Sequence, residues 1–108
     1  MAYYASVLEM LNKKYGTSVD LRLVKLREEF GELMEAANKD IFANKENMSD
    51  FIDELADVNI LLFHIAGILG VRQDRLLAMS LDKIIGREKD PNYKRNHPHV
   101  ERVKTEER

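Results

Sequence analysis

No cysteine occurs anywhere in the 108 residues. That removes a disulfide framework, thiolate metal sites and a thiol nucleophile. Glycine and proline are scarce, at five and two residues, and no glycine-rich phosphate loop is present. Both prolines, Pro91 and Pro98, fall near the C-terminus, where they block regular helix. Long apolar runs are missing too. The longest, Ile60 to Leu69, contains His64 and is too short to span a bilayer. Met1 to Leu11 lacks the basic-then-apolar order of a signal peptide. The expectation is a cytoplasmic protein without membrane attachment. The net charge of −2 gives no bias toward nucleic acid. The basic residues of the tail alternate with Glu101, Glu106 and Glu107, which gives a nucleic-acid arm little support. No Glu-x-x-His occurs, which argues against a ferritin-like di-iron bundle.

What is present is helix periodicity. Hydrophobic residues make up 44% and charged residues 33%, a balance suited to a folded helical chain. Ala2 to Lys14 reads as a first helix, with Val7, Leu8 and Leu11 on one side and Gly16 ending it. Thr17, Ser18 and Asp20 are cap residues for the next helix. Its stripe is Leu23, Leu26, Phe30, Leu33 and Ala37. Asn38 to Met48 is polar and reads as a loop, and Ser49 as the N-cap of a third helix. That helix carries Phe51, Leu55, Val58, Leu62, Ile65 and Leu69, with a second stripe through Ile52, Ala56, Phe63 and Ala66. A helix apolar on two sides is buried on two sides, so one side is expected to meet another subunit. Gly70 ends it, Asp74 or a neighbour opens a fourth helix, and that helix ends near Gly86. Residues 1–87 are thus one all-α domain and 88–108 a charged tail.

Two acidic pairs stand out, each spaced i,i+3: Glu29 with Glu32, and Glu54 with Asp57. Residues so spaced are neighbours on a helix surface. On ideal helices both pairs lie off their apolar stripes in the same rotational sense, with Glu29 and Glu54 bordering the core. Antiparallel packing then lets all four carboxylates converge, provided the second helix stops near Asn38 to Asp40. Hard oxygen ligands so arranged suit Mg²⁺ or Mn²⁺. The bland alternative is a solvated acidic face, with Lys25 forming ordinary helix ion pairs to Glu28 or Glu29. Against it, Glu28, Glu29, Glu32 and Glu35 crowd like charges on one helix, and Asp50, Asp53, Glu54 and Asp57 on the next. A divalent cation relieves that repulsion.

Glu-Glu-x-x-Glu followed on the next helix by Glu-x-x-Asp resembles the MazG-type all-α nucleoside triphosphate pyrophosphohydrolases. The flanking segments Lys25-Leu26-Arg27-Glu28-Glu29-Phe30-Gly31-Glu32-Leu33 and Asp53-Glu54-Leu55-Ala56-Asp57-Val58 carry the likeness. The resemblance implies a four-helix MazG-like bundle with an antiparallel hairpin, completed as a homodimer or homotetramer. It implies Mg²⁺-dependent cleavage of an NTP or dNTP to the monophosphate and pyrophosphate, a nucleotide-pool cleaning role. By carry-over, Glu29, Glu32, Glu54 and Asp57 bind the metal. Glu28 or Glu32 takes the proton of the attacking water. Lys83 and Arg87, one turn apart on the fourth helix, contact the phosphates, with Lys89, Lys94 and Arg95 following them.

Two other readings stay open. One is the phosphoribosyl-ATP pyrophosphatase, which has related motifs. The other is a non-catalytic adaptor or antitoxin-like partner whose acidic surface binds a basic protein. Tyr3, Tyr4, Tyr15 and Phe63 could stack on a base, but packing is their ordinary role. His64, flanked by apolar residues, reads as a core or interface histidine. His97 and His99 read as solvent or subunit-contact residues.

Overall fold

The computed structural model describes residues 2–92. Four helices account for nearly all of them: α1 (Ala2–Tyr15), α2 (Val19–Ala37), α3 (Lys45–Ile68) and α4 (Gln73–Lys89). Among the described residues there is no strand, and the fold class is all-α. The chain forms two compact units, the first ending at Gln73 and the second beginning at Asp74. The first therefore holds α1, α2 and α3. No single helix among the described residues is long and apolar enough to cross a membrane.

The helix ends follow local chemistry. Gly16 takes a left-handed φ of 79°, and its N–H donates to the Asn12 carbonyl at 2.8 Å, closing α1. Of the three cap residues read from the sequence, Ser18 serves: its hydroxyl accepts from the Leu21 N–H at 3.2 Å. Gly70, also at φ 79°, ends α3, with the Val71 N–H returning to the Ala66 carbonyl at 2.8 Å.

The start of α3 departs from expectation. It opens at Lys45 rather than after Ser49, and its cap is Asn44, whose side-chain oxygen accepts from the Asn47 N–H at 2.8 Å. The added turn, Lys45 to Met48, has no apolar periodicity, so pattern alone leaves it in the loop. The connection from Asn38 to Asn44 is short and tied. The Asp40 side chain accepts from the Phe42 N–H, and the Asp40 carbonyl accepts from the Asn47 side-chain amide. At the other end, α4 runs through Gly86 to Lys89. Helical Gly86 costs about 1 kcal/mol relative to alanine, which is not enough to stop a helix. Beyond residue 92 the expected tail, with Lys94, Arg95, His97, Pro98 and His99, lies outside the described residues.

Helices α2 and α3 form an antiparallel hairpin. Lys39 pairs with Asp50 near the connection, Glu29 meets Glu54 and Asp57 further along, and Arg22 approaches His64 at the far end. As numbers rise on one helix, their partners fall on the other. The hairpin core is Leu33, Ala36, Val58 and Leu61. Each larger aliphatic side chain there stabilises by about 2 kcal/mol.

The packed faces are rotated from the expected stripes. On α2 the inward residues are Arg22, Leu26, Glu29, Leu33 and Ala36; on α3 they are Phe51, Glu54, Val58, Leu61 and Ile65. Relative to the apolar stripes, these faces are turned by about 60° and about 40° on an ideal wheel. Leu23, Phe30, Leu55, Leu62 and Leu69, expected inside, are exposed within this chain. Both rotations bring an acidic residue, Glu29 or Glu54, into the packed face.

Candidate metal centre

The antiparallel register and the length of the connection set the site. Helix α2 stops at Ala37, capped at Asn38, and α3 opens at Lys45, which leaves the α2 pair about two turns and the α3 pair about three turns from the connection. Oxygens of Glu29, Glu54 and Asp57 lie within 4.8 Å of one another. Glu29 is 9% exposed, Glu54 is half-buried and Asp57 is open to solvent. The site thus has a buried floor and an open mouth. Glu32, the fourth carboxylate of the expected set, is exposed and stands at the edge, hydrogen-bonded to the Glu29 side chain.

Electrostatics at the site are strained. The Glu29 carboxyl is pushed up to about 7. The largest cause is its hydrogen bond with Glu32, then burial, then the charges of Glu32 and Asp57; Lys25 pulls the other way. Glu54 is raised as well, chiefly by desolvation, then by Glu32, Asp57, Asp53 and Asp50. The Glu54 Oε2 atom is buried without a hydrogen-bond partner. Such an orphan costs free energy unless something else satisfies it. Three hard oxygen donors from two helices, one of them orphaned and one driven to hold a proton, fit a hard divalent cation.

Glu28 points elsewhere. It is exposed and ion-paired to Lys25 at 3.7 Å, while the same lysine reaches Glu29 at 4.0 Å. An exposed pair of this kind stabilises by a few tenths of a kcal/mol, about 0.3–0.5. Lys83 and Arg87 lie on α4, in the second unit.

Sequence reading missed two features. The first is a groove of about 360 Å³ beside the cluster, lined by Glu32, Glu35, Ala36, Lys39, Asp50, Asp53 and Glu54. Lys39 is its one basic residue, and it is 3.9 Å from Asp50. A polyanion cannot approach such walls without cations between. The second is a polar layer in which half-buried Asn12 and buried Arg22 meet His64, itself read from the sequence as a core or interface histidine. Its signal was available: Arg22 lies two turns before Glu29, and His64 two turns after Asp57, on the same helix faces. Tyr4 packs on Phe63 at 5.9 Å between ring centres, and Tyr15 lies beneath the Arg22 guanidinium at 4.4 Å. These aromatic residues are engaged in packing.

The sequence profile of the phosphoribosyl-ATP pyrophosphohydrolase family matches residues 8–79, more than half of the chain and all of the α2–α3 hairpin. The chain belongs to that family. Membership makes it an all-α pyrophosphohydrolase of the MazG-like superfamily. The family is the one read from the sequence as an alternative to the NTP-cleaving relatives. No curated protein and no solved structure matches the chain.

Proposed function

We propose that this protein hydrolyses the α–β anhydride of a nucleoside triphosphate, releasing pyrophosphate and leaving the monophosphate. Glu29, Glu54 and Asp57 would hold Mg²⁺ or Mn²⁺, with Glu32 completing the set from the edge. The carrying observation is the meeting of three carboxylates from two helices within 4.8 Å. A divalent cation there neutralises phosphate oxygens and lowers the pKa of water. The chain's own residues supply the rest. Glu29, part-protonated near neutral pH, gives up its proton when the site fills. Glu32 is the better placed of the two residues considered for taking the proton of the attacking water, because Glu28 faces solvent beside Lys25. Lys83 and Arg87 are proposed phosphate contacts.

A second reading shares the chemistry and changes the substrate. The family match favours phosphoribosyl-ATP, an ATP bearing a further phosphorylated ribose. Its triphosphate presents the same anhydride to the same carboxylates. Pyrophosphate release is to be measured over canonical NTPs and dNTPs and phosphoribosyl-ATP, with Mg²⁺ and with chelator. Release from NTPs or dNTPs supports the first reading, and release from phosphoribosyl-ATP alone the second. Release that persists in the chelator, or in the Glu54→Ala protein, refutes the site assignment for both.

We further propose that the active form is a homodimer or a homotetramer. Leu23, Phe30 and Met34 on α2 and Ile52, Leu55 and Leu62 on α3 are all exposed in the single chain. Two helices with this much uncovered apolar surface are matched to a partner copy. Light scattering on the eluting protein measures the assembly directly, and a monomer at micromolar concentration refutes it.

A further inference from the structure

Helix α1 is held to the hairpin by a short set of contacts. Leu11 is buried, Leu8 lies over Gly67, and Tyr4 meets Phe63. Tyr15 adds contacts to His64 and Arg22, and one further contact is a hydrogen bond. His64 on α3 is completely buried, and its Nε2 donates to the Asn12 Oδ1 atom of α1 at 2.9 Å. Its other ring nitrogen, Nδ1, is buried without a partner.

The groups around this imidazole all favour its neutral form. From α1 come Asn12 and the Tyr15 ring, whose centre is 6.5 Å from that of His64; the Lys14 ammonium lies 5.6 Å from the same Tyr15 ring. From α2 comes Arg22, 7% exposed, its guanidinium on the Tyr15 face and its Nε without a partner. On α3 itself, residues 60–68 carry no charged side chain. Among the described residues no carboxylate pairs with Arg22. Protonation of His64 would add an N–H where no acceptor waits and a charge where the nearby ions are already positive. Burial first, and Arg22 second, hold His64 below the usual histidine range.

We propose that α1 is an acid-released clasp: protonation of His64 frees α1 from α3 while the α2–α3 hairpin stays closed. Lifting α1 gives the imidazolium water, which the docked state denies it. The hairpin core of Leu33, Ala36, Val58 and Leu61 lies between α2 and α3 and does not depend on that contact. A histidine whose folded pKa is depressed contributes stability that is complete above its unfolded value of about 6.5. That stability is lost as pH falls from there toward the folded value. Uptake of one proton raises the opening constant of α1 as pH falls through that window, by about fivefold over its first pH unit and by about tenfold per unit at the limit.

The test is amide hydrogen exchange of the full chain between about pH 7.5 and about pH 5.5, with intrinsic exchange rates divided out. His64→Gln is the control, because its side-chain amide can replace the Nε2 donor without titrating. In the wild type the α1 opening constant should rise about fivefold between about pH 6.5 and about pH 5.5, with the core amides of α2 and α3 staying far better protected than those of α1 throughout. His64→Gln should show no such rise. Equal behaviour of the two proteins overturns the proposal, as does joint opening of α1 and the hairpin. If His64→Gln does not fold, the wild-type imidazole titrated by NMR decides. A pKa clearly below 6.5 supports the clasp, and one at or above it refutes the clasp.

Discussion

The Glu29 proton competes with the metal, and the size of that competition can be worked out. A carboxylate must be ionised to ligate a cation, so binding expels whatever proton the site holds. Glu29 holds its proton to about pH 7, first because Glu32 shares a hydrogen bond with it and then because it is buried among like charges. With that midpoint, about one-tenth of the sites are ionised at pH 6 and about nine-tenths at pH 8. The apparent Mg²⁺ affinity should therefore rise about tenfold between those values, or about 1.4 kcal/mol. Near pH 7 about half a proton should leave per metal bound. Calorimetric Mg²⁺ titrations in two buffers of different ionisation enthalpy measure both quantities. Glu32→Gln removes the neighbouring charge and should shift the pH dependence of binding to lower pH. Mg²⁺ binding with equal affinity at pH 6 and pH 8, and with no proton released, would refute the role given to Glu29.

Other perturbations test separate parts of the structure. Glu54→Gln and Asp57→Asn should each raise the melting temperature of the metal-free protein at about pH 8 and abolish its increase with Mg²⁺. A persisting Mg²⁺ shift in either would remove that residue from the site. Gly67→Ala places a Cβ against the Leu8 side chain. Its steric cost of about 1–3 kcal/mol should outweigh a helix-propensity gain of about 1 kcal/mol and lower stability in urea melts. Gly86→Ala, with open space around its Cβ, should instead preserve or raise helix content, because α4 continues to Lys89. Asn44→Ala should cost about 1 kcal/mol as a lost cap. Ser49→Ala, inside α3, should leave stability nearly unchanged by the same measurement.

The hairpin and its acidic pairs could be read from the sequence because their spacing fixes them on helix surfaces whatever the packing. The position of the α2 end near Asn38 could be read as well, but the height match of the pairs also rests on the tied connection from Asn38 to Asn44, which pattern did not show. Rotation could not. A stripe of Leu23, Phe30 and Ala37 is more apolar than one of Arg22, Glu29 and Ala36, so hydrophobicity alone selects the wrong inward face. In this chain the inward face accommodates polar side chains, and the more apolar one is turned outward. The start of α3 was hidden for a related reason: its first turn is polar, and Asn44 and Ser49 are equally good caps by type. The Asn12–His64 contact joins residues far apart in sequence, and no local pattern announces it.

Placing polar layers at both levels of one hairpin gives the protein two titrations of opposite sign. Glu29 is raised above its ordinary carboxylate value of 4.5, so its contribution to metal-free stability is complete below that value and is lost as pH rises through about 7. His64 is depressed, so its contribution is complete above about 6.5 and is lost as pH falls. The two windows overlap below about pH 6.5. A global melting curve against pH therefore sums two slopes that partly cancel, and a flat profile would not mean that neither group titrates. Mg²⁺ separates them. A cation in the carboxylate site suppresses the Glu29 slope and leaves the acid side of the profile to His64. At saturating Mg²⁺ the melting temperature should fall below about pH 6.5 with one proton's slope in the wild type, and stay level in His64→Gln. A wild-type profile that stays level in saturating Mg²⁺ would show that the buried imidazole does not set the acid limit of this fold.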